Sequence, residues 1–328
     1  MLAFVLQRLY QAVLVMLAVG FIAFALFNFV GDPINGMVGV DTSQADRERL
    51  RQELGLNDSF VVQFARFIGH AIQGDFGLSY QEARPVGQII LEKLPATLEL
   101  STVAAGLALL LGVPMGVFTA LYRRSWLSQA LLAVSLIGVS LPTFLIGILL
   151  ILVFAVVLGW LPSFGRGSVA HFGWWSSGLV TLEGWRAIIL PAVTLALFQT
   201  TLITRLVRAE MIEVLRTDYI KFARARGLTN RTVNFGHALK NTLIPVITIA
   251  GLQLGSIIAF AIITETVFQW PGMGLMFIQA VGFVDIPVMA AYLVLVGFFF
   301  VVINFVVDLL YFVLDPRLSV GRERVGIG

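Results

Sequence analysis

Long apolar stretches separated by short polar ones set the pattern of this chain. Six reach the roughly 20 mostly apolar residues that a membrane-spanning helix needs: approximately 9–30, 98–121, 127–158, 187–208, 243–268 and 288–313. The third and fifth are long for a single span, so tilt or a break is expected in each. Pro114, Pro142, Pro191 and Pro245 fall within these stretches, where a proline frees a backbone carbonyl and invites a kink. Between the first two stretches lies the one substantial non-spanning segment, 31–97. In it, Asp46 to Leu56 reads as a short amphipathic helix ending near Gly55, and Ser59 can cap a second helix with Phe60, Phe64, Phe67 and Ile68 on one face. Gly74-Asp75-Phe76-Gly77 reads as a turn. Arg84-Pro85 then introduces a third amphipathic piece, Val86 to Leu94, and Pro95 opens the next span. The expectation is a small helical cap packed on the membrane; the alternative is a solvated loop without a partner.

Composition removes the soluble alternatives. The 328 residues are 58% hydrophobic and only 12% charged, too little charge for the surface of a soluble domain of this length. The predicted fold class is therefore an all-α membrane protein: a first helix in 1–30, a cap over 31–96, five further helices within 97–313, and a tail at 314–328. Cysteine is absent, which excludes disulfides, thiolate metal sites and cysteine nucleophiles. Arg8 precedes an apolar run longer than a signal-peptide core, with no clear small-x-small site before Gly31-Asp32-Pro33, so the run reads as a retained span.

Charge gives the orientation. Arg123 and Arg124, then Arg205 and Arg208 with the 209–242 segment, then Arg317, Arg322 and Arg324 all fall on one side of the predicted spans. On the other side, 31–97 holds six basic and nine acidic residues, and 269–287 has Asp285 with no base. Trp160, Trp174, Trp175, Trp185 and Trp270 also lie there, as an interfacial belt would. The positive-inside rule then places both termini in the cytoplasm, in a multi-pass protein of the cytoplasmic membrane.

One basic segment has more structure than topology requires. Residues 216–247, RTDYIKFARARGLTNRTVNFGHALKNTLIPVI, carry six Lys or Arg and one acid. Tyr219, Phe222 and Ala223 are predicted on one side of a first helix, and Gly227 sits where a left-handed residue would end it. Leu228 is then placed to fold back on Phe222 and Ala223. Thr229 or Asn230 can cap a second helix carrying Val233, Ala238 and Leu239 through Asn241 into the fifth span. A plain basic loop touching anionic lipid explains the charge, but not the paired caps or the small residues Ala223, Ala225 and Gly227.

These residues carry a resemblance. Asp218-Tyr219, Ala223-Arg224-Ala225-Arg226-Gly227-Leu228, His237-Ala238-Leu239-Lys240-Asn241 and Pro245 resemble the cytoplasmic coupling motif of type I ABC importer permeases, in its dipeptide/oligopeptide version. The generic motif opens Glu-Ala-Ala; here Lys221-Phe222-Ala223 takes that place, as the peptide branch commonly does. Gly74-Asp75-Phe76-Gly77 with Arg84-Pro85-Val86 is similar to the same branch, as is Leu94-Pro95-Ala96-Thr97-Leu98-Glu99-Leu100. So are Glu265-Thr266-Val267-Phe268 with Trp270-Pro271-Gly272-Met273-Gly274, and Leu314-Asp315-Pro316-Arg317, so the likeness spans nearly the whole chain.

The resemblance implies a permease subunit that moves di- or oligopeptides, alongside a second homologous permease, two ATPase subunits and a substrate-binding protein outside. Glutathione, nickel complexes and peptide-like antibiotics are alternative substrates within the same architecture. The helix pair at about 216–240 would seat on the ATPase through Tyr219, Phe222, Ala223, Arg224, Ala225, Arg226, Gly227, Leu228, His237 and Asn241. The chain has no G-x-x-x-x-G-K-[ST] loop, so no cofactor is expected on it, and ATP with Mg would belong to the partner ATPases. Membrane lipid is a further partner, and nothing implies a nucleic acid.

Polar residues within the spans are candidates for the transport path: Gln199 and Thr200 in the fourth, Gln253 and Ser256 in the fifth, Asn304 in the sixth. Plain interhelical hydrogen bonding is the competing reading of each. Glu265, Trp270, Pro271 and Gly272 are candidates for an outer gate or a binding-protein contact, while Glu265 and Asp308 sit toward span ends and could serve only the interface. His70, His171 and His237 are scattered, and Ser163 and Ser168 have no base at hand, so an enzyme is not expected. An autonomous secondary transporter would show mid-span ionisable residues or inverted repeats, and neither is evident.

Overall fold

The computed structural model describes residues 2–29, 34, 43–53 and 57–314. The expected end of the first cap helix at Gly55-Leu56, the Gly31-Asp32-Pro33 segment and the tail from Asp315 lie outside the described residues. Among the described residues, four helices are long and apolar enough to cross a membrane alone, and up to six spans result if each of two bent pairs counts as one.

The helix α1 (Leu2–Phe29) is followed by two short cap helices, α2 (Gln44–Glu53) and α3 (Phe60–Ile72). As predicted, Ser59 stands at the start of α3, although its side chain makes no capping bond. The phenylalanine face of α3 docks on α1: Phe24 meets Phe60, Phe64 and Phe67 with ring centroids 5.0, 5.5 and 5.7 Å apart. Helix α3 is thus docked on α1 through one aromatic face. Gly74 and Gly77 take the expected turn with φ of +75° and +81°. Asp75 accepts from the Gly77 N–H at 3.0 Å and pairs with His70 Nδ1 at 2.9 Å. The bond to His70, helped by the Gly77 N–H, holds its carboxyl below the usual carboxylate range.

The next helix corrects an expectation. Pro95 does not open a span: α4 runs unbroken from Val86 to Leu121, with both Pro95 and Pro114 inside it. Its 36 residues cover about 54 Å at 1.5 Å each, well beyond a hydrocarbon core of about 30 Å. The extra turns carry Val86, Ile89 and Ile90 into a second hydrophobic cluster with Met273, Met276 and Tyr292. Burial of this extension holds the helix through the proline.

The third stretch breaks, as its length suggested. Helix α5 (Trp126–Ser140) stops before Pro142, and α6 (Thr143–Leu150) continues as wider π-type winding over Ile151–Val157. The two halves meet at 110°. A feature absent from the predicted all-α fold follows, a two-stranded hairpin of β1 (Ala170–Phe172) and β2 (Trp175–Ser177). Its turn places Gly173 at φ +64°, the left-handed geometry that tight hairpins require. Three-residue strands are too short to show an alternating pattern.

Helix α7 (Leu182–Val214) forms with α4 the most extensive helix pairing among the described residues. Ala104, Ala108, Gly112, Gly116 and Ala120, spaced four residues apart, make the contact stripe of α4, all buried. A Cβ on Gly116 would lie 2.6 Å from Val207 Cβ and 2.9 Å from Thr204 O, so the backbones approach as small residues in membrane helices allow. Then come α8 (Asp218–Ala225), α9 (Leu239–Val267), α10 (Met273–Phe283) and α11 (Ile286–Leu314). Within 269–287, α10 was not anticipated; it is too short to span and packs on α4, α9 and α11. At the opposite end Asp308 pairs with Arg8 at 3.0 Å, tying α11 to α1, so it serves helix pairing rather than the interface alone.

Candidate functional site

The two ends of the bundle differ in character. One, here the cap face, carries α3, the hairpin and α10. The other, the basic face, carries α8 and the start of α9.

On the basic face, α7 ends at Val214, and a tight turn leads into α8 through Arg216 N–H to Glu213 O and Thr217 N–H to Val214 O, at 3.0 and 3.1 Å. Helix α8 ends as the glycine predicted. Gly227 has φ +78°, its N–H donates to Arg224 O at 2.9 Å, and the Leu228 N–H reaches back to Ala223 O at 3.4 Å. That pair of bonds is a Schellman cap. A Cβ on Gly227 would meet nothing within 4 Å, so the backbone dihedral, not space, demands glycine. Thr229 caps the following helix, accepting from the Thr232 N–H at 3.3 Å. Winding of π type over Thr232–Ala238 then leads without interruption into α9.

Which residues face inward differs from the expectation. Ile220 and Ala223, three apart, are buried and join Val233, Ala238 and Met211 in the cluster that also holds α4 and α7. Tyr219 and Phe222 lie on the adjoining face, 50% and 63% exposed, so they do not share a side with Ala223. Leu228 folds back by its backbone, while its side chain, like that of Phe222, stays exposed. Arg224, Ala225, Arg226, Gly227 and Asn241 are exposed and His237 is half-buried. The Tyr219 hydroxyl meets His237 Nδ1 at 2.7 Å, bracing one helix on the other. Arg226 lies over the Phe222 ring at 5.9 Å. Exposed Tyr, Phe and Arg on a braced, inwardly anchored element have the composition of a protein-docking surface.

On the cap face, Glu265 is fully buried and accepts three hydrogen bonds, from Thr97 Oγ1 at 2.6 Å and from the N–H groups of Gly274 and Leu275 at 2.7 and 3.0 Å. It thereby caps the N-terminus of α10, where a carboxylate is favoured by free N–H groups. Thr97 Oγ1 in turn accepts from the Met273 N–H at 2.8 Å. A Cβ on Gly272 would overlap the Glu265 carboxylate. Trp270 is 1% exposed, its indole donating to Ala96 O at 3.0 Å. It is therefore no member of an interfacial belt, whereas Trp160, Trp174 and Trp185 are exposed. Of the four predicted gate residues only Pro271 is even half-exposed.

Sequence reasoning passed over the neighbouring pair, Glu99 and Arg166. They meet at 2.6 Å with side chains 5% and 6% exposed. Arg166 also donates to Ser176 Oγ and O at 3.0 and 2.7 Å. Glu99 accepts from the Trp175 indole at 3.3 Å and the Gly178 N–H at 3.2 Å. This pins the hairpin to α4. The available signal was Glu99 itself, a carboxylate just inside a predicted span.

Among the predicted path residues, Gln199 and Gln253 line one common cavity. Thr200 is turned to its own helix, donating to Ala196 O at 2.9 Å. Ser256 and Asn304 are half-buried and do not line that cavity.

The family follows from comparison with known proteins. Residues 112–320 match the family described as binding-protein-dependent transport system inner membrane component, and residues 1–101 match the N-terminal family of the same components. The chain belongs to this family. It is the membrane permease component of an ABC importer. Relatives include an oligopeptide transport system permease protein of Bacillus subtilis (strain 168), 36% identical over 97% of this chain and 100% of its own. A dipeptide transport system permease protein of Alkalihalophilus pseudofirmus is 35% identical over 97% and 100%. A glutathione transport system permease protein of Escherichia coli O1:K1 / APEC is 35% identical over 97% and 99%. The fold of the permease matches a chain of the MetNI methionine ABC transporter in an inward-facing conformation, with a TM-score of 0.56, 20% identity, and coverage of 69% of this chain and 96% of that one.

Proposed function

We propose that this permease is one of two membrane subunits of an ATP-driven importer of di- and oligopeptides, moved by separate ATPase subunits that grip the helix pair at 216–240. The observation carrying this reading is the build of that pair. Its inner side, Ile220, Ala223 and Val233, belongs to the same core as α4 and α7, while Tyr219 and Phe222 stand exposed. A push on the exposed side is therefore delivered to the longest helices of the bundle, as a packed element with fixed caps transmits force and a loop does not.

In this account the basic face is cytoplasmic, with both termini, and the cap face meets a substrate-binding protein. The second permease is a homologue of this one, and ATP and Mg bind on the ATPases. The peptide substrate is supported by relatives named for dipeptides and oligopeptides. A second reading, glutathione import, is favoured by an equally similar relative and involves the same amide-linked chemistry.

Reconstitution tests both. Proteoliposomes with the two permeases, both ATPases and the binding protein are expected to accumulate labelled tripeptide only with ATP inside the ATPase compartment. Uptake that persists without the ATPases or without ATP contradicts the proposal. Accumulation of glutathione with none of tripeptide selects the second reading.

A further inference from the structure

Helices α1 and α11 are pinned together at two places. At one, Arg8 pairs with Asp308 at 3.0 Å. At the other, a Cβ on Gly297 would lie 2.8 Å from Val19 Cγ1, so Val19 sits against the α11 backbone. Eleven residues separate the pins on either helix, 8 to 19 and 297 to 308, which is about 16 Å at 1.5 Å per residue. Beside this seam lies a half-open groove of about 640 Å³, walled by Leu9 and Met16 of α1 and by Phe298 and Phe305 of α11. The end of α3 closes it toward the cap face with Ile72, followed by Phe76. Helix α3 is seated closely there, because a Cβ on Gly20 of α1 would lie 2.7 Å from Ile68 Cδ1.

The walls decide what can fill the groove. Every lining side chain is apolar. Water finds none of the 2–4 polar partners it needs, and a peptide would leave its amides and charged ends without partners. A packed helix of the same length, about 10 Å across, takes up roughly 1,250 Å³, about twice the space available. The surroundings are hydrocarbon: α1 exposes Leu14, Val15 and Ile22 on its other sides, as a helix apolar all round does in a membrane. Helix α3 keeps Val61 and Ile72 exposed while carrying Arg66 and His70, the make-up of a helix lying in the membrane interface. The length of about 16 Å also matches the roughly 15 Å that one leaflet contributes to a hydrocarbon core of about 30 Å.

We infer that this groove is a binding site for one acyl chain of a phospholipid from the leaflet on the cap face, which enters beneath α3 and runs toward the Arg8–Asp308 pair. The tail then completes the packing of α1, α3 and α11, and the seat of α3 depends on a bound lipid. The inference rests on the membrane placement of α1 and α11 and is independent of the transported substrate.

The test uses the assembled complex in vesicles of phosphatidylethanolamine and phosphatidylglycerol that contain a small share of phospholipid with a photoactivatable acyl chain. After irradiation, adducts are expected to concentrate on the groove walls at 9–17 and 294–305. Ala12→Phe and Ala71→Phe fill the groove from α1 and from α3. Each is expected to lower those adducts about ten-fold, as displacing roughly two methylene groups would. Ala18→Phe, exposed on α1 outside the groove, is expected to change them less than about two-fold. Native mass spectrometry of the wild-type complex after detergent exchange needs no variant and is expected to show one phospholipid retained on this subunit. Even labelling around α1, adducts that all three variants leave unchanged, or a wild-type subunit that retains no phospholipid means bulk lipid only and overturns the site. Walls shielded from the lipid probe but cross-linked to the second permease would assign the groove to a protein partner and overturn it equally.

Discussion

Gly227→Val is expected to cut ATP-driven uptake at least about ten-fold while the chain still reaches the membrane in normal amount. The structure sharpens the reason. Gly227 sits at φ +78° with open space where a Cβ would go, so substitution is opposed by the dihedral alone. The left-handed conformation costs an L-residue about 1–2 kcal/mol, and a β-branched side chain is the least able to adopt it. The Schellman bonds to Arg224 O and Ala223 O are then lost, and α8 is no longer fixed on the following helix. Asparagine tolerates this conformation, so the predicted order of uptake is Gly, Asn, Ala, Val. Transport and substrate-stimulated ATPase activity, each normalised to membrane level, measure it. Valine behaving like glycine would show that the cap does not matter for coupling.

The second large effect lies at the other end. Glu99→Ala leaves Arg166 buried without its carboxylate and removes the acceptor used by Trp175 and Gly178. Breaking a buried pair from one side costs about 3–5 kcal/mol, and the purified protein is expected to lose a corresponding part of its melting temperature. Replacing both charges, as Glu99→Leu with Arg166→Leu, is expected to restore much of the loss, because no uncompensated charge remains. Equal destabilisation by single and double variants would mean that the other contacts of the hairpin, not the ion pair, hold it to α4.

Legibility in the sequence followed the range of the signal. Apolar length gave the spans, including the break near Pro142 and a 45° bend within α9 in the fifth stretch, since a membrane helix shows itself within about 20 residues. The cap of α8 was legible because Gly227, Leu228 and Thr229 act on neighbours a few residues away. Ile220 was overlooked as the inward anchor because Tyr219 and Phe222, the larger side chains, drew the apolar face one residue aside. Long-range polar contacts were not readable at all. Glu265 caps a helix nine residues on, yet its other partner, Thr97, is 168 residues away. Glu99 and Arg166 are joined only because the hairpin folds over α4, and its three-residue strands carry no periodic signal. Pro95 marked a boundary by local rules, and burial of the preceding turns overrode it.

The central claim, that a separate ATPase grips the α8 surface, has a direct test because the chain contains no cysteine. Ala225→Cys places a single thiol on the exposed end of α8, and Trp174→Cys places one on the exposed hairpin turn of the opposite face. Each is labelled with a short photoactivatable thiol reagent in the assembled complex and irradiated with and without ATP. The account predicts an adduct to an ATPase subunit from position 225 alone, with a yield that changes on ATP binding. No ATPase adduct from position 225, or equal adducts from 225 and 174, would contradict it.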